Sequence, residues 1–196
     1  MIQRKKKKPI RYAMMDTETG GFDPVDNALL EIAIIGLDED LEIVDTLAFL
    51  VKPAKGKIIG QGALAVNKID VEEAKRDGVD VEDIESRIEE WFHKNLIFQQ
   101  IMPIGHNYVR FDQKFMRVNI SGYPRFFTTD CIDTLPASKD YARKERKAIK
   151  ANLGAMREEF GIQIVNTHRA LDDCYVNVEV LKFLVKLGYC KLPVMA

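Results

Sequence analysis

The order of apolar and polar segments predicts an α/β fold: a five-stranded mixed sheet with an antiparallel three-strand meander and helices on both faces. Two observations support this prediction. Three apolar runs rich in Ile, Leu and Val follow one another through short connections in the N-terminal quarter, as expected for a meander. The two remaining strand candidates alternate with helical segments, an order typical of a mixed sheet covered by helices.

The strand predictions come from short apolar runs bounded by turn residues. We predict strands at 10–15, 28–37, 41–51, 100–105 and 126–132. The first run is almost continuously apolar, which favours a central position in the sheet. Pro103 indicates an irregular end in the fourth strand, because proline donates no ladder hydrogen bond.

The helix predictions come from apolar residues that recur with helical spacing. We predict helices at 69–76, 80–94, 108–119, 137–160 and 167–187, and a loop at 53–62. The helix at 80–94 has one apolar stripe that starts at Ile84 and includes Trp91, which we expect in the core. Gly154 would divide the helix at 137–160 in two. Asp70 and Asp133 are positioned to cap the helices that follow them.

Length and composition predict one domain of ordinary globular type. We place it at 10–190, between a basic N-terminal arm at 1–9 and a short tail at 191–196. The chain has 196 residues, of which 46% are hydrophobic and 30% charged. A net charge of −1 neither indicates nor excludes a nucleic-acid partner. We see no apolar run long enough to span a membrane and no signal-peptide core.

Cysteine usage bears on the cellular compartment. The three cysteines, Cys131, Cys174 and Cys190, are an odd number without metal-type spacing. They predict reduced thiols in a cytoplasmic protein.

Two acids lie close together where the first apolar run ends. Residues two apart on a strand share one face, so Asp16 and Glu18 would project together. A shared cation is the usual relief of the resulting repulsion. An acidic turn exposed to solvent is the alternative. Glu31, within the second predicted strand, is either a surface residue or a carboxylate that supports these acids.

Further acids lie near predicted helix starts, where the helix dipole alone favours carboxylates. Asp112 belongs to the helix predicted at 108–119, and Asp172 and Asp173 follow His168 near the start of the last helix. On an ideal helix Asp172 shares a face with His168, and Asp173 is offset. Geometry within the sequence therefore does not select Asp173.

Three segments in order resemble the motifs of the DEDD superfamily of 3′–5′ exonucleases. They are Asp-Thr-Glu-Thr-Gly-Gly at 16–21, His-Asn-Tyr-Val-Arg-Phe-Asp at 106–112 and His-Arg-Ala-Leu-Asp-Asp at 168–173. The resemblance is to the histidine subgroup, typified by the proofreading subunit of bacterial replicative polymerases and including RNase T-like exonucleases. It extends over about 10–187 and implies an RNase H-like fold.

The resemblance implies a role for each motif residue. Asp16, Glu18, Asp112 and Asp173 would be catalytic metal ligands, and His168 would be the general base. Four carboxylates suit hard cations, so the expected cofactor is Mg²⁺ or Mn²⁺, two ions per site. Such ions would activate a water and stabilise the departing 3′ oxygen, releasing nucleoside 5′-monophosphates. The family's spacing selects Asp173 and implies that His168 lies on a turn before the helix.

The resemblance also implies substrate contacts and partners. The contacts would come from Thr17, Thr19, Gly20, Asn67, Asn107 and Phe111. The family commonly has Thr at position 20 and often His at position 67. The expected substrate is single-stranded or 3′-frayed DNA, with a polymerase or other replication protein as a candidate partner. RNA is the alternative substrate, and a non-catalytic nucleic-acid-binding or polymerase-interaction module is the alternative of another class.

Two features near the motifs have open interpretations. His106 is interpreted as either structural or a support for the metal ligands, because it precedes Asp112 by almost two helical turns. The basic run from Lys139 to Lys150, like the arm at 1–9, is either a solvated face or a phosphate-binding surface.

Overall fold

The computed structural model describes residues 8–164 and 168–193. Their sheet has five strands in the order β3-β2-β1-β4-β5. The strands are β1 Tyr12–Thr19, β2 Leu29–Leu37, β3 Ile43–Leu50, β4 Met102–Gly105 and β5 Ile132–Asp133. The β1–β2 and β2–β3 pairs are antiparallel, and the β1–β4 and β4–β5 pairs are parallel. The predicted five-stranded mixed sheet with a three-strand meander is confirmed.

Helices cover both sides of this sheet. They are α1 Gln61–Asn67, α2 Val71–Asp77, α3 Ile84–Lys94, α4 Asp112–Asn119, α5 Tyr123–Phe126, α6 Thr134–Lys144, α7 Leu153–Glu159 and α8 Ala170–Lys186. Short 3₁₀ turns precede α3 and α4, at Val81–Asp83 and Tyr108–Arg110. In the part of the chain that the structure describes, none of the helices has the length and apolar character needed to cross a bilayer.

The two sides of the sheet have separate cores because side chains alternate along each strand. On one side, Ile32 belongs to the cluster that contains Trp91, which is buried as predicted. On the other side, Ala33 belongs to a cluster with Cys174 and Val178 of α8. β1 and β2 are therefore covered on both faces, which for β1 was expected from its almost continuous apolar character.

The fifth strand is present, but its predicted bounds, 126–132, are wrong except at Ile132. Phe126 ends α5, Phe127 forms only an isolated bridge with Ile101, and β5 is restricted to two residues. Both phenylalanine rings pack against Phe92 in the core, with ring centroids 5.1 and 5.8 Å away. A short apolar run can be buried by such packing without pairing in a sheet, and periodicity cannot separate the two cases.

The helix predicted at 137–160 is divided in two, as predicted, but the break is not at Gly154. The chain leaves α6 after Lys144, and Arg146 adopts a left-handed φ of 52°. The second helix begins after Asn152, whose side chain accepts a hydrogen bond from the N–H of Ala155. Gly154 lies inside α7, so an Asn cap sets the new start and the glycine does not cause the break.

Two more local predictions need correction. The region predicted as loop at 53–62 runs into α1, which sequence periodicity did not indicate. The irregularity predicted at Pro103 is absent from the described β4. Pro103 pairs with Ala13 in regular register. The N–H of Met102 donates to Arg11 on the β1 side, so position 103 faces β5, whose ladder begins only at Ile104. Proline therefore removes no ladder hydrogen bond here.

Candidate active site

Three acids meet at the end of the central strand. Asp16 and Glu18 project from the last four residues of strand β1, and Asp173 lies in the first turn of helix α8. One carboxylate oxygen from each lies within 4.8 Å of the other two, and all three residues are half-buried. Among the described residues this grouping contains Asp173 and not its neighbour Asp172. The offset that made Asp173 the less obvious choice on an ideal helix is therefore resolved by how α8 packs on β1 and β2.

Asp112 approaches the same strand from a different element. The chain leaves β4, passes through the 3₁₀ turn and starts α4 at Asp112, which is 3% exposed. Its Oδ1 accepts hydrogen bonds from the N–H of Thr17 at 2.9 Å and from the Thr17 hydroxyl at 2.7 Å. Asp112 is thus held by the residue that separates Asp16 from Glu18.

Burial and mutual repulsion keep these acids from ionising easily. Burial, followed by the charges of Asp112 and Asp173, raises the pKa of Asp16 well above its ordinary range. Burial, followed by the charge of Asp173, raises the pKa of Glu18 to about 8. Burial also raises the pKa of Asp112 to about 7, although the hydrogen bonds from Thr17 oppose the shift. A cation bound among the carboxylates would relieve this repulsion, so the donor set fits a hard divalent metal.

His168 lies just before α8, the helix that carries Asp173, and outside it. The residue is exposed, has a left-handed φ of 55° and precedes the first residue of α8, Ala170, by two positions. The structure therefore places His168 on a turn before the helix, where the resemblance put it. The helix start predicted at 167 lies outside the described residues, as do positions 165 and 166.

Glu31 is a buried residue, so the surface interpretation is wrong. It is 4% exposed and stands opposite Glu18 in the register of β1 and β2. Its carboxylate accepts hydrogen bonds from Arg169 and from the N–H of Ala170 at the start of α8. Glu31 therefore connects the meander to the helix that carries Asp173.

Several predicted substrate contacts are engaged inside the protein. The Thr19 hydroxyl donates to Gly21 O at 2.6 Å. Asn67, only 2% exposed, donates to Thr19 O at 3.2 Å and accepts from the N–H of Ile69 at 3.2 Å. Together with the buried Thr17, these side chains bind neighbouring protein groups. Their structural role is to fix the backbone around the acids.

Gly20 allows another segment to approach the end of β1. A Cβ at this position would lie 2.5 Å from Ile58 O and 2.9 Å from Ile59 Cα. The N–H of Gly20 donates to Ala28 O, and its carbonyl accepts from the N–H of Gly60, both at 2.7 Å. A Thr at position 20, common in the family, would require the backbone at 58–59 to shift.

Two aromatic rings meet at the residue that directly precedes Asp112, and the sequence analysis identified only one of them. Phe111, a predicted substrate contact, is half-buried with its ring against Phe115. Phe22 meets Phe111 edge-on, with centroids 6.2 Å apart, and is 91% exposed. Phe22 is not among the substrate contacts that the resemblance implies. The available signal was a large aromatic residue within a Gly-Gly turn directly after two acids.

Asn107 and His106 shape the loop between β4 and α4. Asn107 has a left-handed φ of 64°, and its N–H donates to Asp133 Oδ1 at 2.9 Å. His106 Nδ1 lies 2.9 Å from the hydroxyl of Thr134, which itself donates to Asn177 at 2.8 Å. The hydroxyl proton is thereby used, so His106 donates from Nδ1. Burial lowers the pKa of His106, consistent with a neutral structural histidine.

The basic run is partly neutralised by its own neighbours. Arg143 and Lys144 pair with Asp140 at 2.6 and 2.8 Å, and Lys147 pairs with Glu159 at 2.9 Å. These contacts favour the solvated-face interpretation for these three cations. Most of the predicted basic arm, at 1–7, lies outside the described residues.

Comparison with known proteins agrees with this geometry. The Exonuclease family model matches residues 13–181. A DNA polymerase III of PolC type from Clostridium perfringens is 27% identical over 178 residues, which are 89% of this chain and 11% of the relative. Ribonuclease T of Buchnera aphidicola subsp. Schizaphis graminum is 49% identical over 61 residues, which are 29% of this chain and 28% of the relative.

Solved structures show the same fold. Exonuclease I of E. coli in complex with a dT13 oligonucleotide superposes with a TM-score of 0.72 at 23% identity, over 88% of this chain and 40% of that one. Exonuclease I of Methylocaldum szegediense gives 0.74 at 22% identity, over 90% and 40%. The chain thus spans about a tenth of its PolC-type relative and two fifths of these nucleases. Since the family model spans most of its length, the chain belongs to the Exonuclease family.

Proposed function

We propose that this chain is a metal-dependent 3′–5′ exonuclease that releases nucleoside 5′-monophosphates from single-stranded or 3′-frayed DNA. The observation that carries the proposal is the meeting of Asp16, Glu18 and Asp173 within 4.8 Å, beside the turn that presents His168. Family membership makes phosphodiester hydrolysis the reaction this arrangement serves.

The acids are assigned to metal binding. Asp16, Glu18 and Asp173, with Asp112 beside them, would hold Mg²⁺ or Mn²⁺, and the family resemblance implies two ions. When bound, such ions lower the pKa of a water and stabilise charge on the leaving 3′ oxygen. Half-burial of the three grouped acids restricts competing solvent and strengthens their interaction with a cation.

The chain's own residues supply the remaining functions. His168 is exposed, so its imidazole can reach a water at the scissile phosphate and take its proton. Thr17 holds Asp112, and Asn67 holds the backbone of Thr19. The ring of Phe22, with Phe111 behind it, offers a platform on which a terminal base can stack.

DNA is the favoured substrate and RNA the second candidate. The PolC-type relatives and the exonuclease I complex with dT13 support DNA. The local 49% identity with ribonuclease T supports RNA. A polymerase partner, suggested by the PolC-type relatives, and a cytoplasmic location stay predictions. A non-catalytic binding module is disfavoured, because all four acids and the histidine are present.

The test is a time course on 5′-labelled DNA with a 3′ overhang and on the matching RNA, with Mg²⁺, Mn²⁺ or EDTA. We expect metal-dependent shortening of the labelled strand from its 3′ end, at a faster rate on DNA, and nucleoside 5′-monophosphates detected by chromatography of the products. The Asp16→Ala and His168→Ala proteins should lose this nuclease activity. Arg76→Gln, which removes an exposed ion pair with Asp77, should keep it.

Two outcomes would contradict the proposal. Undiminished activity in Asp16→Ala would show that another protein or another site is responsible. Oligonucleotide binding without metal-dependent product would favour the binding module. Faster release from RNA would change the substrate and keep the chemistry.

A further inference from the structure

Helix α8 begins against a carboxylate from another element. Within the described residues, the N-cap residue, Arg169, provides no side-chain cap of its own. Instead, the N–H of Ala170 donates to Oε2 of Glu31 on β2, at 3.0 Å. This N–H is one of those that a helix start leaves without an intrahelical partner. A residue 139 positions away in sequence therefore caps the helix that carries Asp173.

The same carboxylate binds the side chain of the N-cap residue. Arg169 Nε lies 3.1 and 3.0 Å from the two oxygens of Glu31, and Nη2 lies 2.6 Å from Oε1. A guanidinium that engages both carboxylate oxygens fixes orientation as well as distance. Glu31 is buried, whereas 42% of the Arg169 side chain is exposed. The strand residue is thus the fixed half of the pair.

The pair is positioned to act on two assigned site residues. His168 precedes Arg169 directly, in its left-handed conformation. The carbonyl of Arg169 accepts a hydrogen bond from the N–H of Asp173 at 3.0 Å. This bond ties the backbone of Asp173 to the N-cap residue. Glu31 itself stands opposite Glu18 across the β1–β2 ladder. One ion pair therefore links the strand beside Glu18 to the backbone on both sides of Arg169.

The contacts of Glu31 also explain why it is not a further ligand. Both of its oxygens accept N–H donors from Arg169, and one also accepts from Ala170. These N–H donors occupy the carboxylate, and among the described residues Glu31 lies outside the grouping of Asp16, Glu18 and Asp173. Its role is to hold the helix and not to bind metal.

We propose that Glu31 and Arg169 form a positioning pair that sets His168 and Asp173 against β1. The inference rests on the proposed function for its catalytic readout. Residues that orient metal ligands typically change metal affinity or activity by about 10- to 100-fold when removed. The pair therefore affects kcat and metal affinity, and leaves the binding of oligonucleotide largely unchanged.

The experiment compares Glu31→Gln, Arg169→Gln, the double variant and Arg169→Lys with the unsubstituted chain. We expect kcat to fall by about 10- to 100-fold in each Gln variant, with KM for the oligonucleotide within about twofold. The double variant should lose little more than either single one, because both remove the same contact. Arg169→Lys keeps the charge but not the two-pronged geometry, so its loss should be intermediate.

A second readout does not depend on activity. Calorimetric titration with Mn²⁺ should give a Kd weakened by about tenfold in Glu31→Gln and Arg169→Gln. The matched control is Arg125→Gln. Arg125 pairs with Glu85 at 2.7 Å, and Glu85 also accepts a backbone N–H, from Gly122, at 2.8 Å. This second pair joins α3 to α5, neither of which carries an assigned acid, so both readouts should stay unchanged.

The outcomes separate the inference from the proposed function. An unsubstituted chain without nuclease activity would overturn the proposed function, and the Mn²⁺ titration would still test the pair. Unchanged kcat and Mn²⁺ affinity in Arg169→Gln would overturn the inference. A variant whose melting temperature is lower, but whose kcat and Mn²⁺ affinity are unchanged below the unfolding transition, would also overturn the inference. Should Glu31→Gln not fold, the Arg169 variants decide, because that side chain is partly exposed.

Discussion

The carboxylate of Asp112 accepts two hydrogen bonds from one residue, the N–H and the hydroxyl of Thr17, at 2.9 and 2.7 Å. The two residues are 95 positions apart, and their contact joins the first motif to the second. Successive strand residues point to opposite faces, so Thr17 binds Asp112 from the face opposite to Asp16 and Glu18. The orientation of one acid thus depends on the residue between two others.

Removing the hydroxyl of Thr17 should disturb Asp112 while the backbone contact remains. We expect Thr17→Val to lower kcat and metal affinity by about 10- to 100-fold, because the carboxylate loses an orienting donor. Thr17→Ser keeps the hydroxyl and should stay within about threefold of the unsubstituted chain. Steady-state kinetics and Mn²⁺ titration measure both effects. Equal behaviour of the Val and Ser variants would show that the backbone N–H alone orients Asp112.

Asp172 and Asp173 are adjacent but should differ greatly in function. A ligand to a catalytic metal supports several kcal/mol of transition-state stabilisation, so Asp173→Asn should lower kcat by about a thousandfold or more. Asp172 lies outside the carboxylate grouping, and Asp172→Asn should retain activity within about twofold. Each variant is the other's control for helix stability. The reverse ranking of the two variants in a nuclease assay would reject the assignment.

Without metal, the site should make the fold less stable as pH rises. The pKa of Glu18 is raised to about 8 and that of Asp112 to about 7, from ordinary values of 4.5 and 3.8. Between the ordinary and the raised pKa, the folded protein retains protons that the unfolded chain has released. The free energy of unfolding contributed by these groups therefore falls across that range and reaches its minimum above about pH 8.

Mg²⁺ or Mn²⁺ should reverse this trend, because the cation stabilises the ionised carboxylates. We expect the metal-induced rise in melting temperature to be larger at about pH 8 than at about pH 5.5, and metal binding near pH 7 to release protons. Calorimetry in buffers of different ionisation enthalpy measures that release. Glu18→Gln removes the group with a pKa of about 8. In the metal-free protein, the free energy of unfolding of this variant should therefore fall less steeply with pH above about pH 7. A metal effect independent of pH would contradict the assignment.

The exposed ring of Phe22 should contribute to substrate binding rather than to stability. A base stacked on an aromatic side chain is worth about 1–3 kcal/mol, so Phe22→Ala should raise the Kd for a single-stranded oligonucleotide by about 5- to 150-fold. Phe22→Trp keeps a stacking face and should bind normally. Fluorescence anisotropy in an Asp16→Ala background separates binding from cleavage. Normal affinity in Phe22→Ala would place the terminal base elsewhere.

The meander and the strong helices were predictable because their patterns are local. Apolar residues alternate or recur every three to four positions, and each pattern is complete within about ten residues. The break after Lys144 and the fate of Phe126 were not predictable in this way. The first depends on a left-handed residue followed by a cap at Asn152, and the second on a core that includes Phe92.

For the site, the sequence by itself determined which residue types are present and in what order, and their spacing was enough to indicate the family. Only the tertiary structure decided how they meet. The family's spacing had selected Asp173 over Asp172, but the distance at which Asp173 approaches Asp16 depends on how α8 lies on the sheet. The tertiary structure also joined Glu31 to Arg169, 138 positions away, and no local pattern carries the geometry of such a contact.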